Sequence, residues 1–141
     1  MSLHKPVITL YNDTGIPMVD MNDPHTINVG ISEFTMVTMA CGLASEGHRV
    51  ITHAVTPHYL RAWEAVRTLL APWGYDVALI GSGEGEDYSS LGLSHQMSTA
   101  EMWLHCMAAN IPYYFPLNRQ EFEKAMSYRE PRFIQIKKGI L

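Results

Sequence analysis

Short β-branched runs alternate with longer helical patterns along this chain. Strand-like runs fall at 6–10 (PVITL), 27–29, 49–55 (RVITHAV), 77–80, 113–115 and 132–136. Between them come helical stretches. One covers 34–44, and a second covers 58–71 with Leu60, Trp63, Val66, Leu69 and Leu70 on one face. A third is capped by Ser98 or Thr99 and runs to about Ala109, and a fourth follows Asn118, with Glu121 at the spacing of a capping box. Strands and helices taken in turn predict an α/β fold, a mostly parallel sheet with helices on both faces. No repeat or linker divides the pattern, so a single domain is expected over 1–141.

The stretch 26–47, TINVGISEFTMVTMACGLASEG, stands out. Gly30 permits a sharp turn after a short strand, because glycine reaches backbone angles that a Cβ forbids. Ser32 stands at the expected N-cap, and Glu33 opens the helix, where the macrodipole favours an anion. From Phe34 to Ala44 the residues are apolar almost all round, and Gly47 supplies a stop. A helix without a polar face is predicted to be buried. One carboxylate at the mouth of such a helix has two readings: a dipole partner, or a functional acid partly withdrawn from water.

Composition narrows the partners. Hydrophobic residues make up 47% of the sequence, enough for a sizeable core, and the net charge is −4. No run of Lys or Arg appears, which disfavours nucleic acid and anionic membranes. No apolar run reaches the roughly 20 residues of a membrane span, and the start has no signal-peptide pattern. Cys41 and Cys106 lie in apolar helical patterns and read as reduced core thiols of a cytoplasmic protein. The methionines, unusually numerous, read as adaptable core filling.

Several site chemistries are excluded. His53 and His58 flank a strand–helix corner with no acid or cysteine suitably placed beside them, so no metal site is expected. There is no Gly-x-Ser-x-Gly elbow. The segment 81–96 (GSGEGEDYSSLGLSHQ) is a glycine-rich loop after a strand, yet it carries Glu84, Glu86 and Asp87 and lacks a Gly-Lys-Ser/Thr ending. Such a loop repels phosphate and is not a Walker site.

Three pieces together resemble the pyrimidine-binding domain of the transketolase family. INVGISEFTMVTMACGLASEG at 27–47 is similar to the segment that presents a glutamate at a helix start. GLSHQ at 92–96 resembles that family's Gly-Pro-Thr-His-Gln segment, and IPYYFPLN at 111–118 resembles its Ile-Pro strand. The resemblance covers roughly 24–137. It implies half of a thiamine-diphosphate site, in which Glu33 hydrogen-bonds N1′ of the aminopyrimidine ring. Protonation there favours the imino form that deprotonates the thiazolium C2, and glutamate has the reach for the task. The resemblance also places His95 on the substrate channel as a proton-transfer residue. Arg61, in the run Arg61-Ala62-Trp63, is similar to an arginine that grips a substrate phosphate in 1-deoxy-D-xylulose-5-phosphate synthases.

The departures are as specific. The family's ring-stacking aromatics correspond to Val55 and His58, with Tyr59 next to them. Leu93 and Ser94 stand where the family has proline and threonine. No Gly-Asp-Gly segment followed by asparagine is present, so magnesium and the cofactor's diphosphate would be held by a partner chain carrying the diphosphate-binding domain; no C-terminal transketolase domain is expected over 1–141 either. The expectation is therefore a pyrimidine-binding subunit, or fragment, of a split transketolase-like enzyme. It would be inactive alone, homodimeric or hetero-oligomeric, and would act on a phosphorylated sugar or keto acid by two-carbon ketol transfer or related carboligation. The rival readings are a non-catalytic assembly or regulatory subunit that keeps the interface without the cofactor, and the β-subunit of a 2-oxoacid dehydrogenase.

Overall fold

The computed structural model describes residues 5–12 and 19–140. Six strands form one sheet: β1 (Ile8–Tyr11), β2 (Thr26–Asn28), β3 (Val50–Val55), β4 (Val77–Ser82), β5 (Tyr113–Tyr114) and β6 (Arg132–Ile136). Their order is β2-β1-β3-β4-β6-β5, and every pair is parallel. Parallel strands need crossovers, and these place helices on the two faces. Side-chain alternation then divides the core. Leu10, Val50, Leu79 and Phe133 face α1 (Glu33–Ser45), the helical segment 56–73 and α3 (Thr99–Ala108). Ile80, Ile134 and Ile136 face α4 (Arg119–Ser127) through Phe122 and Ala125. Each such side chain, fully buried, contributes about 1.5–3 kcal/mol.

Three local expectations are modified. Helix α1 buries one face, through Met36, Val37, Ala40, Cys41 and Ala44, while Phe34 and Gly42 stay outside. Ser32 occupies the N-cap position, but its hydroxyl donates to Thr35 Oγ1 at 2.6 Å and caps no backbone N–H. The single helix expected over 58–71 is a broken one: a 3₁₀ run Thr56–Ala62, one α turn α2 (Trp63–Ala65), a π turn Val66–Leu70 and a 3₁₀ turn Ala71–Trp73. Pro72 supplies the reason. It has no N–H to donate and its ring crowds the preceding turn, so the ladder widens before it and tightens after it. Gly74, at φ 65°, closes the segment in a left-handed conformation.

Of the long connection expected over 11–25, residues 13–18 lie outside the described residues. Its end is built from Asx turns, with Asp20 Oδ1 accepting from Asn22 N and Asp23 Oδ1 from His25 N. Helix α3 begins with a full capping box, Ser98 with Glu101. In α4 Asn118 caps Glu121 N, while the Glu121 carboxylate reaches Leu117 N rather than the backbone of Asn118.

Cys41 and Cys106 are separate buried thiols, and desolvation pushes them up to about 11 and about 12. No helix among the described residues is long and apolar enough to cross a membrane. The amino ends of the strands are closed by charge: Arg132, with no exposed side-chain surface, bonds Asp76 Oδ1 at 3.1 Å, and Arg129 bonds Asp76 Oδ2 at 3.1 Å. Arg49 and Arg132 also donate to Met126 O, at the last turn of α4.

Candidate functional site

In an open parallel sheet, ligands bind beyond the carboxyl ends of the strands. Of the connections that leave that edge here, the first four each deliver one polar residue or more. Asn12 follows β1, Glu33 follows β2, His58 and Arg61 follow β3, and His95 lies in the connection after β4.

They converge on Glu33. Its side chain is 3% exposed, and all its close partners meet Oε1. Asn12 Nδ2 donates to that oxygen at 2.7 Å and Arg61 NH1 donates at 3.2 Å. His58 Nδ1 lies 3.4 Å from it. Oε2 accepts no hydrogen bond from any of the described residues. A buried carboxylate needs charged or polar partners, and here they are supplied to one oxygen only.

His58 is mostly buried, and its ring meets that of His95 edge to face at 4.7 Å. Its pKa is lowered, first by desolvation, then by the Arg61 charge and by His95, against the opposing pull of Glu33. The imidazole is thus held toward its neutral form, and its Nε2 has no hydrogen-bond partner among the described residues. Ser94 Oγ lies 3.0 Å from His95 Nδ1. Arg61 is half exposed and bridges the buried acid and the surface. Ile31, Phe34, Leu91 and Leu93 are exposed on α1's approach and on the connection after β4, at this same edge.

Glu33, His58, Arg61 and His95 are therefore brought together. Val55 ends β3 immediately before the turn, and it is buried. Tyr59 stands apart. Its hydroxyl is within 2.8 Å of Thr52 Oγ1 and donates to Ile80 O, and its ring packs on Phe133 in the core, so it offers no face to the mouth. The 3₁₀ winding after Pro57 sets this arrangement: three residues per turn place His58 and Arg61 on one side and turn Tyr59 inward. Sequence reasoning missed Asn12. The available signal was a polar residue directly after a buried strand, one position past Tyr11.

The fold is that of transketolases. A split-gene transketolase described as an inactive β4 tetramer superposes with a TM-score of 0.73 at 19% identity, over 94% of this chain and 45% of that one. Transketolase from Campylobacter jejuni gives 0.79 at 18% identity, over 93% of this chain and 22% of that one. A mutant transketolase from Pichia stipitis gives 0.79 at 19%, over 96% and 23%. In sequence, a Methanocaldococcus jannaschii protein described as a transketolase C-terminal section is 35% identical over 71 residues, 50% of this chain and 22% of that protein. The family of transketolase pyrimidine-binding domains matches residues 12–130, and the chain belongs to it. This membership implies thiamine diphosphate as the associated cofactor. The chain spans less than half the length of these relatives.

Proposed function

We propose that the chain is the pyrimidine-binding subunit, or fragment, of a split transketolase-like enzyme that transfers a two-carbon ketol unit or performs a related carboligation. One observation carries the reading: a carboxylate almost fully withdrawn from water, fixed through Oε1, with Oε2 left without a hydrogen bond among the described residues at the carboxyl edge of a parallel sheet. The residues present fit the cofactor at this point, since an aminopyrimidine ring brings the polar edge that Oε2 lacks. Thiamine diphosphate, when bound, supplies the nucleophilic carbon for carboligation. Glu33 holds a proton at ring N1′, Asn12 keeps the carboxylate in its rotamer, and Val55 and His58 form the adjoining wall. His95 moves protons on the substrate side, and Arg61, on its flexible and half-exposed stem, meets a substrate phosphate.

A partner chain with a diphosphate-binding domain and Mg²⁺ completes the site. The exposed Ile31, Phe34, Leu91 and Leu93 beside the mouth suit such a docking surface. The inactivity ascribed to the split-gene β4 tetramer is in line with a chain of this kind being silent by itself.

A second reading, an assembly or regulatory subunit without cofactor, is favoured by one observation. His58, at a position that the resemblance gives to a stacking aromatic, already approaches the Glu33 carboxylate, and so does Arg61. Calorimetry separates the two readings. Thiamine diphosphate with Mg²⁺ is titrated into this chain, then into its mixture with a chain carrying the Gly-Asp-Gly segment. Binding in the mixture that is lost in Glu33→Gln, with the fold kept, supports the enzyme reading. A stable complex that binds no cofactor establishes the assembly role.

A further inference from the structure

The connection 83–97 between β4 and α3 carries His95 to its place beside His58, and a connection of that length carries a substantial closure entropy. Its tip is exposed at Leu91 and Leu93, so packing of the tip does not hold it. Lys138 N holds its middle through Asp87 Oδ2 at 2.9 Å, and the His58 ring meets His95, but both of its ends are held from β6. Gln135 is fully buried on the face of β6 that carries Phe133, opposite Ile134 and Ile136, and an amide there is disfavoured unless its groups are bonded. Its Nε2 donates to Gly83 O at 2.9 Å and to Met97 O at 3.3 Å, and its Oε1 accepts from Tyr113 OH at 2.7 Å. Gly83 and Met97 are the first and last residues of the connection. One planar amide with two diverging N–H groups therefore ties both ends of it to an interior strand of the sheet. The backbone agrees with this anchoring: Gly83 N donates to Ile136 O at 2.8 Å, and Gly85 N donates to Met97 O at 2.9 Å.

We propose that Gln135 is a positioning residue of the site: by clamping the two ends of the 83–97 connection it fixes where His95 stands against His58 and Glu33. The functional weight of this rests on the reading of His95 given above, but the clamp itself is a property of the chain alone. The pairwise bonds make the assignment specific. Gly83 O retains a second donor, Thr56 Oγ1 at 2.8 Å, and Met97 O retains Gly85 N, so loss of the glutamine amide loosens the loop while the strands stay paired.

The test is histidine side-chain NMR on the free chain, with no cofactor and no partner. Gln135→Met keeps the shape and removes the amide. In this variant the His95 and His58 ring signals move, and the His58 titration midpoint rises toward the ordinary imidazole value. It rises because burial and the His95 neighbour that lower it are relaxed, while Arg61 and Glu33 remain. His25, exposed and paired with Asp23 away from the connection, serves as the reference whose ring signals stay in place between variants. Tyr113→Phe keeps both clamp bonds and leaves His58 and His95 at their wild-type positions. Unchanged His58 and His95 signals in folded Gln135→Met overturn the proposal, as does an equal displacement in Tyr113→Phe. Hydrogen exchange on the wild-type chain keeps the question decidable if Gln135→Met does not fold. The two side-chain N–H protons of Gln135 are then expected to be protected, and exchange as fast as that of the exposed Gln120 side chain overturns the clamp. Failure of thiamine-diphosphate binding leaves all of these readouts intact, so the two ideas fail separately.

Discussion

The two edges of the sheet each hold a carboxylate beside arginine, and they use it differently. At the amino edge both oxygens of Asp76 are occupied, one by Arg132 and one by Arg129, and Arg132 and Arg49 also close the end of α4. At the carboxyl edge, Oε1 of Glu33 gathers Asn12, Arg61 and His58, while Oε2 has no partner among the described residues. The first arrangement occupies both oxygens of its acid and ties strands to a helix, although Nε of Arg49 and of Arg132 finds no partner among the described residues. The second belongs to a carboxylate only 3% exposed and leaves one oxygen without a hydrogen bond among the described residues, an opening that a ligand group can use. Acid–arginine proximity by itself thus says little about function; the unused oxygen is the informative feature.

The largest expected effect breaks the amino edge. Arg132→Ala removes a fully buried guanidinium and leaves Asp76 and the end of α4 short of donors, with an expected loss of about 3–5 kcal/mol in urea unfolding. A loss below 1 kcal/mol would mean that this edge is not the structural one.

The next bears on β3, the strand that joins the two edges. His53 sits at its centre, 1% exposed, with neither ring nitrogen hydrogen-bonded among the described residues, and burial lowers its pKa from 6.5 to about 4. The unfolded chain takes up a proton below pH 6.5 that the folded chain refuses until about pH 4. Stability therefore falls as the pH drops through that window, by on the order of 3 kcal/mol. His53→Leu is expected to flatten the pH dependence of the urea midpoint and to leave the smaller, same-signed response of His58 as the remainder. A wild-type midpoint that stays level from pH 6.5 to 4 rules this out.

The smallest effect sharpens the contrast from the other side. Arg61→Gln removes a half-exposed partner of Glu33 and is expected to change stability by less than about 1 kcal/mol, because solvent screens such a pair. In calorimetry with the assembled enzyme the same variant is expected to weaken a phosphorylated substrate and to leave thiamine diphosphate affinity near wild type. Tighter cofactor binding in its place would identify Arg61 as a competitor for the Glu33 carboxylate and favour the assembly reading.

Much of the fold was legible in the chain because it depends on local pattern. The β-branched runs at β1, β3, β4 and β6 and the capped starts of α3 and α4 need only neighbours a few residues away. Glu33 was legible for the same reason, as one acid heading an apolar helix. The broken helical segment 56–73 was partly written in Pro57 and Pro72, but its turns were set by packing against the core. Asn12, Gln135 and the inward turn of Tyr59 were not legible. Their meaning lies in hydrogen bonds to partners far along the chain, Glu33 for Asn12, Gly83 and Met97 for Gln135, and Ile80 for Tyr59. By itself the sequence determined the elements, the parallel α/β class and the acid at the helix mouth. Only the tertiary structure decided which oxygen of that acid is held, what stands against it and what fixes the loop across from it. Periodicity and capping act over one turn of chain, whereas the placement of a buried polar group is decided by whichever distant donors and acceptors the closed sheet brings within bonding distance.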